Sequence, residues 1–123
     1  MKLNLCTVVT GNIEEMRAFY SALLGTEPVS HRNNYFEYTL GATALALWRE
    51  EEYLAYHSGS GQPLKGGGVL LELEVEDVDS EYSRLRGLGL APLEFPETKP
   101  WGHRNFSLLD PDGHTVVLYS IEE

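Results

Sequence analysis

Apolar residues follow two different spacings along the first part of the chain, and each spacing predicts a different element. Residues 3–10 are mostly apolar or β-branched and are followed by Gly11 and Asn12, which predicts a strand that stops where an Asx residue can cap a helix. Across residues 12–25 the apolar positions recur at helical spacing, acidic residues fill the first turn, and Gly25 supplies a C-cap. This pattern predicts an amphipathic helix directly after the first strand.

The chain contains one order of predicted elements twice. Residues 35–40 and 43–48 predict two strands, joined by a turn, that complete the first half. Residues 68–77 then predict a strand, 78–89 a helix that closes on Gly89, and 103–120 a strand hairpin around Asp-Pro-Asp-Gly. Asn12 and Asp77 stand at the same strand-to-helix junction in the two halves. We therefore expect two similar modules, about 1–57 and 69–123, joined by a glycine-rich connector at 58–68.

Size and charge limit the fold and the partners. A chain of 123 residues that is 42% hydrophobic is expected to form a single domain, 1–123. The formal net charge of −10 disfavours nucleic acid and anionic membranes as partners. Since no apolar run approaches the roughly 20 residues that cross a bilayer, a cytoplasmic protein is expected. The single Cys6 lies in an apolar strand-like run, which favours a buried inert thiol over a nucleophile.

Three motifs in this order and spacing resemble the vicinal oxygen chelate superfamily of glyoxalases, bleomycin-resistance proteins and extradiol dioxygenases. They are "NIEEMRAFYSALLG", "VEDVDSEYSRL" and "WGHRNFSLLDPDGHTVVLYS". The resemblance covers nearly the whole chain. It implies an α+β fold in which two βαβββ modules form a curved, partly open, mixed β-barrel-like sheet with the helices outside and the ligand on the concave face. It also implies a homodimer, because apolar edges would otherwise be exposed.

Catalytic members of this superfamily hold a divalent metal with His or carboxylate side chains at four strand positions. The resemblance puts these positions at Leu5, Ala46, Leu70 and Val117, and none of these side chains can donate to a metal. No metal site and no cofactor are therefore expected. The alternative is a relocated metal site that uses His31, His57, His103 or His114. These histidines do not have the spacing that places two ligands on one helix face.

Alternation along the strands predicts which side chains face the ligand cleft. The expected cleft residues are Leu5, Thr7, Ala46, Trp48, Leu70, Glu72, Glu74, Trp101, Arg104, Thr115, Val117 and Tyr119. Several keep a second interpretation. Glu72 and Glu74 line a groove or belong to an ordinary solvated sheet surface, and Arg104 positions an anionic group or pairs with a carboxylate. Trp48 and Trp101 are stacking platforms, core residues or dimer contacts.

These features favour a metal-free binding protein over an enzyme. The leading hypothesis is a protein of the glyoxalase/bleomycin-resistance type that sequesters a planar or cationic organic molecule. The alternative is a metal-dependent glyoxalase-like lyase or isomerase, or an extradiol dioxygenase. A metal-free enzyme with Glu72 or Glu74 as a general base lies between these two, and a regulatory module without a small ligand is the third hypothesis. No catalytic residue is assigned.

Overall fold

The computed structural model describes residues 1–56 and 68–122. His57 and nearly all of the predicted connector at 58–68 lie outside these residues. Within them the chain forms eight strands and three helices: β1 (Leu5–Thr10), α1 (Ile13–Leu24), β2 (Val29–His31), β3 (Tyr35–Leu40), β4 (Thr43–Arg49), α2 (Glu50–Tyr56), β5 (Leu70–Glu74), α3 (Val78–Gly87), β6 (Glu97–Thr98), β7 (His103–Leu109) and β8 (Thr115–Ile121).

The chain divides into two compact units, Met1–Gly67 and Gly68–Glu123. Each unit holds a four-stranded mixed sheet, with the orders β1-β4-β3-β2 and β5-β8-β7-β6. In both units the first strand pairs in parallel with the last strand, and the remaining pairs are antiparallel. The α+β class and the repeated βαβββ order are therefore confirmed.

The core of the first unit lies between α1 and one face of its sheet. The helix is amphipathic because its buried side chains recur at helical spacing: Ile13, Met16, Phe19, Tyr20 and Leu23. From the sheet, Phe36, Tyr38, Leu45 and Leu47 are at most 5% exposed. The buried Tyr38 hydroxyl lies 2.9 Å from Ser21 Oγ and donates to the Arg17 carbonyl of α1 at 3.2 Å. This face of the sheet is therefore fixed against the helix by both apolar burial and hydrogen bonds.

The core of the second unit uses a shorter and more polar helix. Val78 and Leu85 are the buried residues of α3. Four sheet residues are at most 2% exposed: Phe106, Leu108, Val116 and Leu118. Tyr82 of α3 packs edge-on against Phe106, with 5.4 Å between the ring centroids. The side of the second sheet that carries Phe106 therefore faces α3.

The two helices begin differently although their junctions look alike in sequence. The Asp77 side chain accepts a hydrogen bond from the Ser80 backbone N–H at 3.1 Å, which is an N-cap. The prediction of a side-chain cap at Asn12 is wrong, because this residue makes no side-chain capping hydrogen bond. Its backbone N–H donates instead to Thr10 Oγ1 at 2.9 Å. Gly25 ends α1 with φ of 68°, as predicted for a left-handed C-cap.

The hairpin between β7 and β8 turns around a buried carboxylate. Asp110 is 3% exposed and accepts hydrogen bonds from the backbone N–H groups of Asp112 and His114. The His114 ring nitrogen Nδ1 lies 2.9 Å from Asp110 Oδ2. Gly113 has φ of 91°, which explains why glycine stands there. The predicted tight turn is therefore held by side-chain as well as backbone bonds.

Three elements were not predicted from the sequence. β2 and β6 are edge strands of three and two residues, which is too short for an alternation pattern to show. α2 has no buried residue, so it lacks the apolar stripe that identifies a helix. Among the described residues, no helix combines the length and the apolar character that crossing a bilayer requires.

Candidate functional site

Strand register separates the residues of each sheet into two faces. Directly paired residues share a face, so the pairs Thr7↔Ala46 and Glu37↔Ala46 place these three side chains together. Their face is opposite the one that carries Phe36 and Tyr38 and contacts α1. We call the sheet face that points away from α1 in the first unit, or away from α3 in the second, the distal face.

An open depression of about 720 Å³ lies on the distal face of the first unit. All of its lining residues belong to this unit: Leu5, Thr7, Ser30, His31, Arg32, Tyr35, Trp48 and Glu52. They come from β1, β2, β3, β4, the β2–β3 turn and α2. The volume lies within the range of small-molecule sites, and the lining combines apolar, aromatic and charged groups.

Aromatic rings form one wall of the depression. The Trp48 indole packs edge-on against Tyr35 on the neighbouring strand, with ring centroids 6.5 Å apart and an interplanar angle of 82°. Tyr53 of α2 contacts the same indole edge-on at 5.6 Å. On the other side of Tyr35, the His31 ring lies 5.7 Å away. Trp48 is therefore held between rings from a strand and a helix, which limits its rotation.

A carboxylate from α2 is fixed beside this wall. Glu52 accepts a hydrogen bond from Trp48 Nε1 at 3.0 Å and one from Asn34 Nδ2 at 2.8 Å. Arg32 Nη2 lies 3.6 Å from Glu52 Oε2. The Glu52 side chain is 18% exposed, so its charge is partly removed from water. Because Glu52 follows Trp48 by four residues, the β4–α2 junction brings the indole and the carboxylate together.

The β2–β3 turn that carries Arg32 has an unusual backbone. Arg32 and Asn33 have φ of 54° and 55°, in the left-handed region that non-glycine residues seldom occupy. The turn is nevertheless bonded on the β4 side, because Arg49 Nε donates to Asn34 Oδ1 at 2.9 Å and Arg49 Nη2 donates to the Asn33 carbonyl at 3.0 Å. These bonds fix one edge of the depression.

Tyr35 and Glu37 form a second polar pair on the distal face. The Tyr35 hydroxyl donates to Glu37 Oε1 at 2.6 Å. Burial, followed by the hydrogen bond and the charge of Glu37, raises the pKa of Tyr35 to about 12. The phenol is therefore neutral at physiological pH and serves as a donor, not as a base.

The structure brings three of the predicted first-unit residues together. Leu5, Thr7 and Trp48 all line the depression. Ala46 lies on the same distal face between Thr7 and Glu37 and is fully buried. Its small side chain forms part of the sheet surface beneath the larger neighbours.

Six of the eight predicted second-unit residues share the distal face of their sheet. Register pairs Leu70 with Thr115, Glu72 with Val117, and Glu74 with Tyr119. Leu70, Glu72 and Glu74 are exposed, Thr115 and Tyr119 are half-buried, and Val117 is 8% exposed. The His103 ring stacks on Tyr119, with ring centroids 4.4 Å apart and an interplanar angle of 13°. This face is more acidic and less aromatic than that of the first unit.

Arg104 and Trp101 lie elsewhere in the second unit. Arg104 pairs with Ser120 in the sheet, on the side that faces α3, and binds both carboxylate oxygens of Asp79 at 2.9 and 3.0 Å. This hydrogen-bonded ion pair holds the pKa of Asp79 below its usual range. The structure thus gives Arg104 the second of its two sequence interpretations, pairing with a carboxylate. Trp101 is 65% exposed in the loop between β6 and β7.

The donor set does not fit the divalent metal of the superfamily's catalytic members. Leu5, Ala46, Leu70 and Val117 have apolar side chains on the distal faces of their own sheets. Across residues 1–56 and 68–122, no three His, Cys, Asp or Glu residues are grouped so that they could hold a metal ion. Divalent sites usually need three or more such protein ligands. We therefore assign no step to a metal.

Three lining residues are not predicted from the sequence: Ser30, Arg32 and Glu52. Ser30 and Arg32 belong to the short β2 hairpin, for which the signal was the Asn33-Asn34 pair, a residue type that tolerates positive φ in tight turns. Glu52 belongs to a run of three consecutive acids, residues 50–52, a pattern that is typical of a solvated surface. No periodic signal marks Glu52, because its partner Trp48 lies on strand β4 and Glu52 lies on the following helix α2.

Comparison with known proteins shows the family. Residues 2–118 match the model described as Glyoxalase/Bleomycin resistance protein/Dioxygenase superfamily. The Bacillus subtilis (strain 168) protein YraH, described as uncharacterized, is 29% identical over 98% of this chain and 99% of its own length. The bleomycin resistance protein of Geobacillus stearothermophilus is 24% identical over 89% of each chain.

The same relationship is visible in three dimensions. The crystal structure of a glyoxalase/bleomycin resistance protein/dioxygenase from Nocardioides superposes with a TM-score of 0.83 and 22% identity, covering 100% of this chain and 85% of that one. At this identity the likeness concerns the fold alone. Together with the family model, which spans nearly the whole sequence, it shows that the chain belongs to the glyoxalase/bleomycin resistance protein/dioxygenase superfamily.

Proposed function

We propose that the chain is a metal-free binding protein that sequesters a planar organic cation in the depression on the distal face of the first unit. The observation that carries this proposal is the Trp48 indole, whose Nε1–H is bonded to Glu52 while Tyr35 and Tyr53 hold its ring. An aromatic surface and a fixed carboxylate side by side suit a ligand that is both flat and positively charged.

Preorganisation supports binding at this place. Contacts within the protein already hold Trp48 and Glu52, which bind each other and also contact Tyr35, Tyr53 and Asn34. A ligand would therefore immobilise few additional side chains, which lowers the entropic cost of binding.

Charge also favours a cation. The net charge of −10 produces a negative field around the chain, which raises the encounter rate with cations at low salt. Within the depression Glu52 is only 18% exposed, so its attraction for a bound cation is screened less than that of a surface acid. The relative from Geobacillus stearothermophilus is named for resistance to bleomycin. A basic glycopeptide of that kind fits the proposed ligand class.

The two tryptophans permit a direct test by fluorescence. The variant Trp101→Phe leaves Trp48 as the reporter, and the matched control Trp48→Phe leaves the exposed Trp101. Each is titrated with N-methylquinolinium and, separately, with bleomycin. We expect saturable quenching in Trp101→Phe and at most a linear collisional decrease in Trp48→Phe. Absence of saturation in Trp101→Phe with both probes, up to high micromolar concentration, would contradict the proposal.

The metal-free part of the proposal has its own test. Protein purified without chelators is analysed for nickel, zinc, iron and manganese. We expect well below one equivalent of each, because the described donors do not form a three-ligand group. One equivalent that survives dialysis would instead favour the metal-dependent lyase or dioxygenase.

Three further statements belong to the same proposal. We infer a homodimer, because β2 at the edge of its sheet is exposed along its whole length and Val29 in it is 63% exposed. Light scattering that gives a monomer mass at tens of micromolar would overturn this.

We also infer that the second unit's distal face makes a weaker, separate contribution to ligand binding. A cytoplasmic location is tested by cell fractionation.

A further inference from the structure

We infer that Arg32 competes with the ligand's cationic group for Glu52: its guanidinium is paired with this carboxylate and is displaced when a ligand cation binds. This inference rests on the proposed function and deepens it, because it identifies Glu52 as the residue that selects charge and Arg32 as the residue that sets the affinity for cations.

The distances to the Glu52 carboxylate distinguish Arg32 from the two hydrogen-bond donors. Trp48 and Asn34 donate to the carboxylate at 3.0 and 2.8 Å, which are hydrogen-bond distances. Arg32 Nη2 lies at 3.6 Å, well beyond the 2.7–2.9 Å of a charge-assisted hydrogen bond. Arg32 therefore interacts with Glu52 mainly through its charge. A ligand cation that makes a short hydrogen bond or a direct ion contact would gain more from the carboxylate.

Displacing Arg32 from Glu52 costs little free energy, because the arginine is already largely solvated. The Arg32 side chain is 74% exposed, whereas that of Glu52 is 18% exposed. An ion pair with one well-solvated partner contributes little stability, because water solvates the released guanidinium and its long side chain regains rotational freedom. Both residues line the depression, so a bound cation would take the place that Arg32 leaves.

The carboxylate stays in position after Arg32 leaves. Its hydrogen bonds to Trp48 and Asn34 come from a strand and from the β2–β3 turn, and Arg49 holds that turn independently through Asn33 and Asn34. Displacement of Arg32 therefore leaves the Glu52 carboxylate in place beside the Trp48 ring, where it can contact a ligand cation.

A pair of probes that differ in charge tests the inference. N-methylquinolinium carries a fixed positive charge, and quinoline is its uncharged counterpart at neutral pH. Both are titrated calorimetrically into the wild type, into Arg32→Gln and into Lys2→Gln, a control that removes the same charge from an exposed residue outside the lining. We expect Arg32→Gln to bind N-methylquinolinium about two- to fivefold more tightly and quinoline unchanged. Lys2→Gln should leave both affinities within error of wild type.

A double-mutant cycle separates local competition from a general charge effect. Glu52→Gln keeps an acceptor for Trp48 and Asn34 but loses the charge, so its affinity for N-methylquinolinium should fall to about that for quinoline. Adding Arg32→Gln to Glu52→Gln should bring no further gain. A gain that persists in the double variant, or one that Lys2→Gln reproduces, would overturn the inference.

The outcomes also separate this inference from the proposed function. If the wild type binds N-methylquinolinium with Trp48 quenching and Arg32→Gln binds it no more tightly, the competitor role is wrong and the binding function stands. If the wild type binds neither probe, the proposed function fails and the inference fails with it. Circular dichroism of each variant checks that the fold is intact.

Discussion

The distal faces of the two units correspond strand by strand, yet they carry different chemistry. Leu5↔Ala44 in the first unit matches Leu70↔Thr115 in the second, so Trp48 occupies the place that Tyr119 takes in the repeat. The partner of Trp48 on the next strand is Tyr35, whereas the partner of Tyr119 is Asn105. One backbone plan therefore presents an aromatic wall in one unit and a more polar surface in the other.

The sheet alone therefore does not form the depression. The first unit adds α2 directly after β4, and this helix contributes Glu52 and Tyr53 beside Trp48. Helix α2 is hydrogen-bonded to Asn34 of the β2–β3 turn through Glu52, and its Glu52 and Tyr53 contact the indole.

The prediction with the largest expected effect is that the two units unfold together. Met16→Ala in α1 and Leu85→Ala in α3 each remove a fully buried side chain and should lower the free energy of unfolding by about 2–5 kcal/mol. Urea unfolding followed by circular dichroism should give one transition that both substitutions shift, as a single domain requires. Two transitions, each sensitive to one substitution, would show that the units are independently stable domains.

The second prediction compares the two kinds of turn. Asp110→Ala removes a buried acceptor from the N–H groups of Asp112 and His114 and should cost about 1–3 kcal/mol in unfolding free energy. Asn34→Ala at the first unit's turn should cost less, about 1 kcal/mol, because its partners Glu52 and Arg49 are partly exposed. Equal losses in denaturant unfolding would remove the distinction between a buried and a solvated turn.

Ligand affinity gives the third comparison. Trp48→Leu should weaken N-methylquinolinium binding about tenfold, since aromatic and cation–π contacts contribute on the order of 1–1.5 kcal/mol. Tyr119→Leu, at the corresponding place in the second unit, should weaken it less than about threefold. Calorimetric titration of both variants measures the ratio. A larger loss from Tyr119→Leu would move the site to the second unit.

The smallest effect concerns Tyr35 and Glu37 at high pH. Because the pKa of Tyr35 is raised from 10.0 to about 12 by burial and by Glu37, the folded state holds this proton more tightly than the unfolded state does. The stabilisation of the folded state by Tyr35 is fully present below pH 10 and is lost as the pH rises towards 12. The solvent-facing part of the ring limits this contribution to less than about 1 kcal/mol.

Two variants check the origin of this alkaline loss. Tyr35→Phe should flatten the decrease in unfolding free energy between pH 10 and 12, measured by urea titration at each pH. Glu37→Gln removes the nearby charge and should bring the Tyr35 tyrosinate absorbance titration back towards 10. A Tyr35 titration unchanged in Glu37→Gln would leave burial as the sole cause.

The repeated fold could be predicted because its signals are long and periodic. The alternation through residues 70–74 and the helical spacing through 13–24 each extend over enough residues to identify an element. The depression could not be predicted in the same way. Its edge depends on a three-residue strand, on positive φ at Arg32 and Asn33, and on a helix without an apolar face. The turn is joined to β4 and α2 by hydrogen bonds of Asn34 with Arg49 and Glu52, which lie 15 and 18 residues further along the chain.

Arg104 shows a second reason why site residues could not be identified from the sequence alone. Its place shortly after Trp101 made it a candidate for positioning an anionic group, but its side chain points to α3 and pairs with Asp79. One step along a strand reverses the face, so a residue beside a cleft position lies on the opposite side of the sheet. The sequence contained both alternatives, and only the register of β7 with β8 decides between them.

The alternation along β4 gives this scaffold a practical use in protein engineering. Leu45 and Leu47 pack beneath the sheet, while Ala46 and Trp48 alternate with them on the distal face. The core contacts and the proposed recognition thus use the odd and the even positions, respectively, of a single strand. If the proposed binding holds, a combinatorial library that varies position 48 with positions 32 and 52 would sample new ligand preferences while leaving Leu45 and Leu47 beneath the sheet unchanged.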